Sequence, residues 1–249
     1  MGAVAPTDEL RLEMRQRPSG RPVMFQRWSE LLFLHWKIEP AEIQRRLPEG
    51  LHVDTFGGEA WIGVVPFFME RIRPVGLPAV PWLSWFLELN VRTYVHDDLG
   101  RPGVWFFSLD CNQPLAVEFA RKFFHLPYQH ARMSAERIGG EILYHSRRRG
   151  AGHPIATFRY ARTVDAVPAG EGTLEWFLAE RYLLFSTNRA GRIFTGQVNH
   201  TPYRIAPASC LEWSVEPLRL NGFADPGRPP DSMLLADAVD VAVFPLRRA

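Results

Sequence analysis

Apolar positions along this chain fall into short runs, and the most regular of them alternates. In Glu88-Leu89-Asn90-Val91-Arg92-Thr93-Tyr94-Val95 polar and apolar residues take turns. Successive side chains of a strand point to opposite faces, so Glu88, Asn90, Arg92 and Tyr94 share one face and Leu89, Val91 and Val95 the other. The runs 31–38, 60–68 and 104–109 are apolar at nearly every position, the pattern of strands buried on both faces. Gly63 and Pro66 mark bulge or edge positions within the second of these. Further strands are predicted over 131–138, 141–147, 155–162, 181–185, 193–200, 211–220 and 239–244. Gly139-Gly140 joins the first two of these as a tight hairpin turn.

Helical periodicity is confined to three places. Residues 114–125 begin at Pro114 and repeat Leu115, Ala116, Phe119, Ala120 and Phe123 at helical spacing. Pro40 opens a short helix, and Thr173 caps another that runs to Ala179. No strand–helix–strand unit repeats, which argues against a doubly wound parallel sheet. The expected fold is mainly β (α+β), an antiparallel β-barrel or sandwich with two or three helices. Residues 1–22 lack periodicity and read as a flexible or loosely docked tail, leaving 23–249 as one domain.

Composition narrows the function classes. A formal net charge of +2 gives no footprint for nucleic acid. Arginine outnumbers lysine greatly, the two lysines being Lys37 and Lys122. Cys111 and Cys210 are far apart and form no metal-ligand spacing, and His125 and His130 flank a proline with no cysteine or carboxylate cluster beside them. No cofactor and no metal is expected. No run of about 20 apolar residues is present, and the N-terminal segment lacks a signal-peptide core. Gly2 has no Ser or Thr where a myristoylation motif needs one. The expectation is a cytoplasmic chain without a membrane or nucleic-acid partner, and a homodimer as the commonest assembly.

Candidate chemistry centres on the alternating strand. Its polar face either meets water or lines a pocket, with Glu88 and Arg92 about 13 Å apart along the strand. Glu180 and Tyr182 share a face at a helix-to-strand junction, where a charged cap is the plainer reading. His200 ends a strand and reads first as a structural hydrogen-bonding residue. The run Arg147-Arg148-Arg149 reads as a solvated hairpin end.

Several segments taken in order carry a resemblance. They are His35-Trp36, Gly58-Glu59-Ala60-Trp61, Val65-Pro66-Phe67, the run 88–95, Gly103-Val104-Trp105-Phe106-Phe107-Ser108-Leu109-Asp110, Ala120-Arg121, Leu126-Pro127-Tyr128, Glu180-Arg181-Tyr182 and His200-x-Pro202-Tyr203. Together they resemble the YqjF-like family, itself distantly similar to acetoacetate decarboxylase. That resemblance implies an antiparallel barrel around a small-molecule cavity. The decarboxylase forms an imine on a lysine after a Phe-Pro pair, and here Tyr128 and Gln129 follow Leu126-Pro127. The resemblance thus implies a small-molecule ligand, a carboxylate or carbonyl compound, handled without a Schiff base. If the chain is an enzyme, lyase- or hydrolase-like acid–base chemistry is expected. If it is not, it is a metabolite-binding or structural barrel. In the cavity reading Arg92 grips a carboxylate, Glu88 is a base and Tyr128 donates to a developing oxyanion. Asn90, Tyr94, Arg121, Glu180, Tyr182 and His200 are expected as further ligand contacts.

Overall fold

The computed structural model describes residues 4–150 and 152–249. Helix α1 (Asp8–Arg15) precedes β1 (Met24–Ser29), β2 (Leu31–Ile38), α2 (Pro40–Gln44), β3 (Leu51–Val53), the long β4 (Ala60–Pro74), β5 (Phe86–Asp97), β6 (Pro102–Cys111) and α3 (Pro114–Phe123). Then come β7 (Tyr128–Ile138), β8 (Glu141–Arg148), β9 (Ala156–Arg162), the two-residue β10 (Val167–Pro168), α4 (Leu174–Ala179), β11 (Leu183–Thr187) and β12 (Ile193–Asn199). The chain finishes with β13 (Arg204–Glu212), α5 (Glu216–Arg219), β14 (Ser232–Ala236), β15 (Val239–Val243) and the two-residue β16 (Arg247–Arg248).

The strands belong to one mixed sheet whose pairing closes on itself twice. Strands β4, β5 and β6 form a shared wall. One circuit leaves β6 through β11, β12, β15 and β1 and returns to β4. The other leaves β6 through β7, β8, β9, β13, β14 and β2 and returns to the same strand. The expected mainly-β architecture is present, but as two fused closures rather than one clean barrel or sandwich. Two pairings are parallel, β6 with β11 and β6 with β7, where an antiparallel sheet was predicted. They arise where β6 is shared between the two circuits.

Being central to the shared wall, β5 is covered on both faces. Its Leu87, Leu89 and Val91 pack with Leu32, Leu34, Val64, Tyr144, Phe158 and Tyr160 in one core. Its Glu88, Asn90 and Arg92 face the other enclosure, walled by Val65, Phe67, Leu109 and Tyr128. The β5–β6 ladder slips between Val91 and Arg92, so that Val91 lies opposite Ser108 and Arg92 opposite Phe106. Such bulges re-aim side chains and raise local twist.

The Gly139-Gly140 hairpin forms with both residues at positive φ, 58° and 88°, as a two-residue turn of this kind requires. Several expectations need correction. Residues 8–15 of the expected tail form α1, capped by the Thr7 side chain, and Arg11 is buried in a two-bond pair with Asp54 at 2.8 and 2.9 Å. Residues 1–3, with Gly2, lie outside the described residues. The predicted strand over 211–220 is instead the end of β13 followed by α5. Pro217 starts that short helix, where proline's missing N–H costs nothing. Strand β13 begins at Arg204, seven residues before the predicted strand, and includes Pro207 opposite Leu234 in the ladder. Arg148 is not solvated: Nε donates to Asp110 at 2.9 Å and Nη2 to Ser108 at 2.8 Å. No helix among the described residues is long and apolar enough to cross a membrane.

Candidate functional site

The polar face of β5 looks into a cavity of about 150 Å³. Met24, Trp28, Val65, Phe67, Leu109 and Leu126 give it apolar walls, and Gln26, Glu88, Asn90, Arg92, Tyr128 and Tyr203 give it polar atoms. The alternation legible in 88–95 is therefore an alternation between two interiors, not between core and water.

At one end stands Arg92. Its Nη2 donates to the Leu178 carbonyl at 3.0 Å and to the Tyr94 hydroxyl at 3.2 Å. The guanidinium carbon lies 5.0 Å from the centre of the Phe33 ring, a cation–π distance. Nε is buried without a partner, and among the described residues Arg92 forms no ion pair.

Tyr94 fixes this cation from behind. Its hydroxyl donates to the Leu178 carbonyl at 2.6 Å, so its lone pairs are left to accept from Arg92 and from His35 Nε2, also at 2.6 Å. His35 therefore carries its proton on Nε2 and stays neutral, because burial and the Arg92 charge hold its pKa well below the usual histidine range. Gly63 makes room for this ring, since a Cβ there would stand 2.8 Å from His35 Nε2.

At the other end the Tyr128 hydroxyl donates to Glu88 Oε2 at 2.7 Å. Burial raises the Glu88 pKa to about 7, with the Tyr128 hydroxyl and the Asn90 amide pulling it back down. Burial, followed by the Glu88 charge, drives the Tyr128 pKa well up. Near neutral pH the pair thus holds a tyrosine that keeps its proton and a carboxyl poised to gain or lose one. Asn90 Oδ1 is buried without a partner.

Of the nine residues predicted as a site, Glu88, Asn90, Arg92 and Tyr128 line this cavity and the other five do not. Tyr94 acts through Arg92. Arg121 lies outside, its Nε donating to the Tyr128 carbonyl at 2.8 Å and its Nη1 to Glu118 at 3.2 Å. Glu180 accepts from the Tyr203 backbone N–H at 2.8 Å and from the Tyr182 hydroxyl. His200 stacks on Tyr182 with ring centres 4.7 Å apart, donates from Nδ1 to the Thr201 carbonyl, and has its pKa lowered by burial to about 4. These last three brace Tyr203, and it is Tyr203 that reaches the cavity.

The DUF2071 family, described as an uncharacterized conserved protein, matches residues 25–240. Uncharacterized protein YqjF of Bacillus subtilis (strain 168) is 36% identical over 232 residues, covering 93% of this chain and 94% of that one. The chain belongs to the DUF2071 family. Solved structures give the fold. An acetoacetate decarboxylase superposes with a TM-score of 0.64 at 13% identity, covering 92% of this chain and 90% of that one. The acetoacetate decarboxylase of Legionella pneumophila gives 0.61 at 12%, with 100% and 98% covered. The enduracididine biosynthesis enzyme MppR complexed with pyruvate gives 0.63 at 12%, with 94% and 93% covered. At such identities the likeness establishes an acetoacetate decarboxylase-like fold and nothing finer.

Sequence reasoning missed Gln26, Trp28 and Tyr203 as parts of this family member's cavity, and Phe33 as the ring beneath Arg92. The first two lie two apart on β1, a strand whose mixed composition hid it. Phe33 and His35 lie two apart on β2, so period two would have placed them on one face.

Proposed function

We propose that the cavity binds a small organic acid by its carboxylate, with Arg92 as the anion grip and the Glu88–Tyr128 pair facing the rest of the molecule. One observation carries the reading. Arg92 stands half-buried on the cavity wall with its Nε buried and unpartnered, and among the described residues it forms no ion pair, so its charge faces the cavity without an anion. A planar carboxylate supplies it through parallel hydrogen bonds.

Size and lining narrow the ligand. A cavity of this volume holds a molecule of roughly benzene size, about six non-hydrogen atoms. That is the scale of a short monocarboxylate or 2-keto acid such as the pyruvate bound in MppR. Neither lysine lines the cavity. Lys37 lies over the Trp61 ring and Lys122 over that of Phe123, both exposed. The proposed chemistry is therefore proton transfer without an imine. Glu88 takes a proton next to the carbonyl, and Tyr128 donates to the oxygen on which charge develops. Binding without turnover is the alternative, and the Tyr128 bond that already occupies Glu88 favours it; a rate that vanishes in Glu88→Gln while binding survives decides for catalysis.

The test is thermal denaturation with pyruvate, other short monocarboxylates and their uncharged amides, on wild type and Arg92→Met. At about 100 times its dissociation constant a ligand adds roughly 2.7 kcal/mol of stability. A carboxylate should raise the wild-type Tm, its amide should not, and Arg92→Met should respond to neither. Equal responses of wild type and variant would refute the grip.

A further inference from the structure

The surface beside the cavity carries a second unusual feature. Helix α3 has two apolar sides. Ala116, Ala120 and Phe124 line the cavity, while Leu115, Phe119 and Phe123, spaced four apart, are 56%, 47% and 54% exposed. The two sets lie about 100° apart round the helix, an apolar surface too wide for the cavity alone to cover, and apolar sides of a helix are ordinarily covered. Phe119 belongs to both sets, so the cavity reaches the surface at this residue.

Next to this stripe lies the loop between β4 and β5, whose residues 75–85 contain no charged side chain. Val75, Leu77, Val80, Trp82 and Trp85 are all exposed, Trp82 by 70%. The loop is held firmly in this pose. Buried Ser84 accepts from the Val80 N–H through Oγ at 2.8 Å and donates its own N–H to the Val80 carbonyl at 2.9 Å. Gln113, the N-cap of α3, donates from Nε2 to the Trp82 carbonyl at 2.8 Å, which sets the loop against the start of the helix. Trp82 itself has φ +60°, a conformation that a bulky residue rarely adopts and that points to function when it persists.

Four aromatic side chains about half exposed present on the order of 400 Å². Four aliphatic ones bring the patch towards the roughly 800 Å² that each partner contributes to a standard interface, beyond the apolar patch of an ordinary monomer. We infer that this face pairs with a second copy of the chain, α3 against α3, and that the partner closes the mouth of the cavity at Phe119. A two-fold contact of a patch with itself suits a helix stripe flanked by one loop. A membrane surface fits less well, because the loop offers no lysine or arginine to anionic headgroups and α3 adds only Lys122 and the half-buried Arg121, which is tied to Glu118. The pairing stands independently of the proposed ligand; the closure of the mouth rests on that reading.

The experiment is sedimentation of the full chain from about 1 to 100 μM, for wild type, Phe123→Glu, Trp82→Gln and Leu211→Glu. Leu211 is an equally exposed residue on β13 and serves as the control. Wild type and Leu211→Glu should sediment as dimers. Phe123→Glu and Trp82→Gln should dissociate at about tenfold higher concentration or more, with far-UV circular dichroism and Tm near wild type. A monomeric wild type, or dimers indifferent to both patch substitutions, would overturn the inference. So would a monomer that binds phosphatidylglycerol vesicles through this face. Where a carboxylate binds wild type, its dissociation constant should rise in the monomeric variants; an unchanged constant removes the closure alone.

Discussion

The two faces of β5 are made by one strand, enclosed on both sides, and built on opposite logic. Leu87, Leu89 and Val91 enter a core that is mainly apolar, where the Tyr144 hydroxyl reaches the Glu88 carbonyl at 2.9 Å. Glu88, Asn90 and Arg92 enter an enclosure where Asn90 Oδ1 and Arg92 Nε have no partner and a carboxyl is held near neutrality. Burying polar groups unpaired costs free energy. A strand whose own polar side chains are left unpaired only where they line a cavity is therefore arranged for something that enters that side.

Substitutions on the two faces should separate stability from binding. Leu89→Ala opens space in the packed core and should cost about 3 kcal/mol by denaturant unfolding, with ligand affinity kept. If it abolishes binding while stability holds, the faces are not independent.

Glu88→Gln comes next. A carboxyl whose pKa is near 7 when folded and 4.5 when exposed binds more protons in the folded chain between those values. The Glu88 contribution to stability should therefore fall as pH rises from about 4.5 to 7 and level off above. Glutamine removes that dependence and should stabilise at pH 8 by on the order of 2 kcal/mol, with little change at pH 4. His35 and His200, held neutral by burial, push the whole curve the other way below about pH 6.5. The readout is therefore the difference between wild type and Glu88→Gln, and a difference that does not change across this window would contradict the burial of Glu88.

Tyr128→Phe should cost about 1 kcal/mol. Because the lost hydrogen bond had lowered the Glu88 pKa, the falling limb should extend to higher pH. Arg92→Met should be the mildest for the fold, within about 1 kcal/mol, since an apolar side chain replaces a half-buried charge that forms no ion pair among the described residues, and the Leu178 carbonyl keeps its bond from Tyr94. A large loss of stability from Arg92→Met would mean that the residue is a structural strut.

The strand that carries this contrast was the most legible part of the sequence, since period-two alternation and the family motifs both fall on it. The direction of its polar face was not legible, because a strand facing water and one facing a cavity share the same pattern. Only the double closure of the sheet, made by pairings distant in the chain, sets Tyr128 beside Glu88. Tyr182 and His200 read as contacts because they sit near each other and near Tyr203, yet their side chains turn to Glu180 and Thr201. Arg11 was invisible for a related reason, its partner Asp54 being 43 residues away.

The most direct test is a crystal structure of the full chain soaked with pyruvate at a concentration that saturates its thermal shift. The account predicts the carboxylate within hydrogen-bonding distance of Arg92 Nε and the remaining atoms towards Glu88 and Tyr128. An empty cavity, or a ligand bound elsewhere with Arg92 Nε still unpartnered, would contradict it.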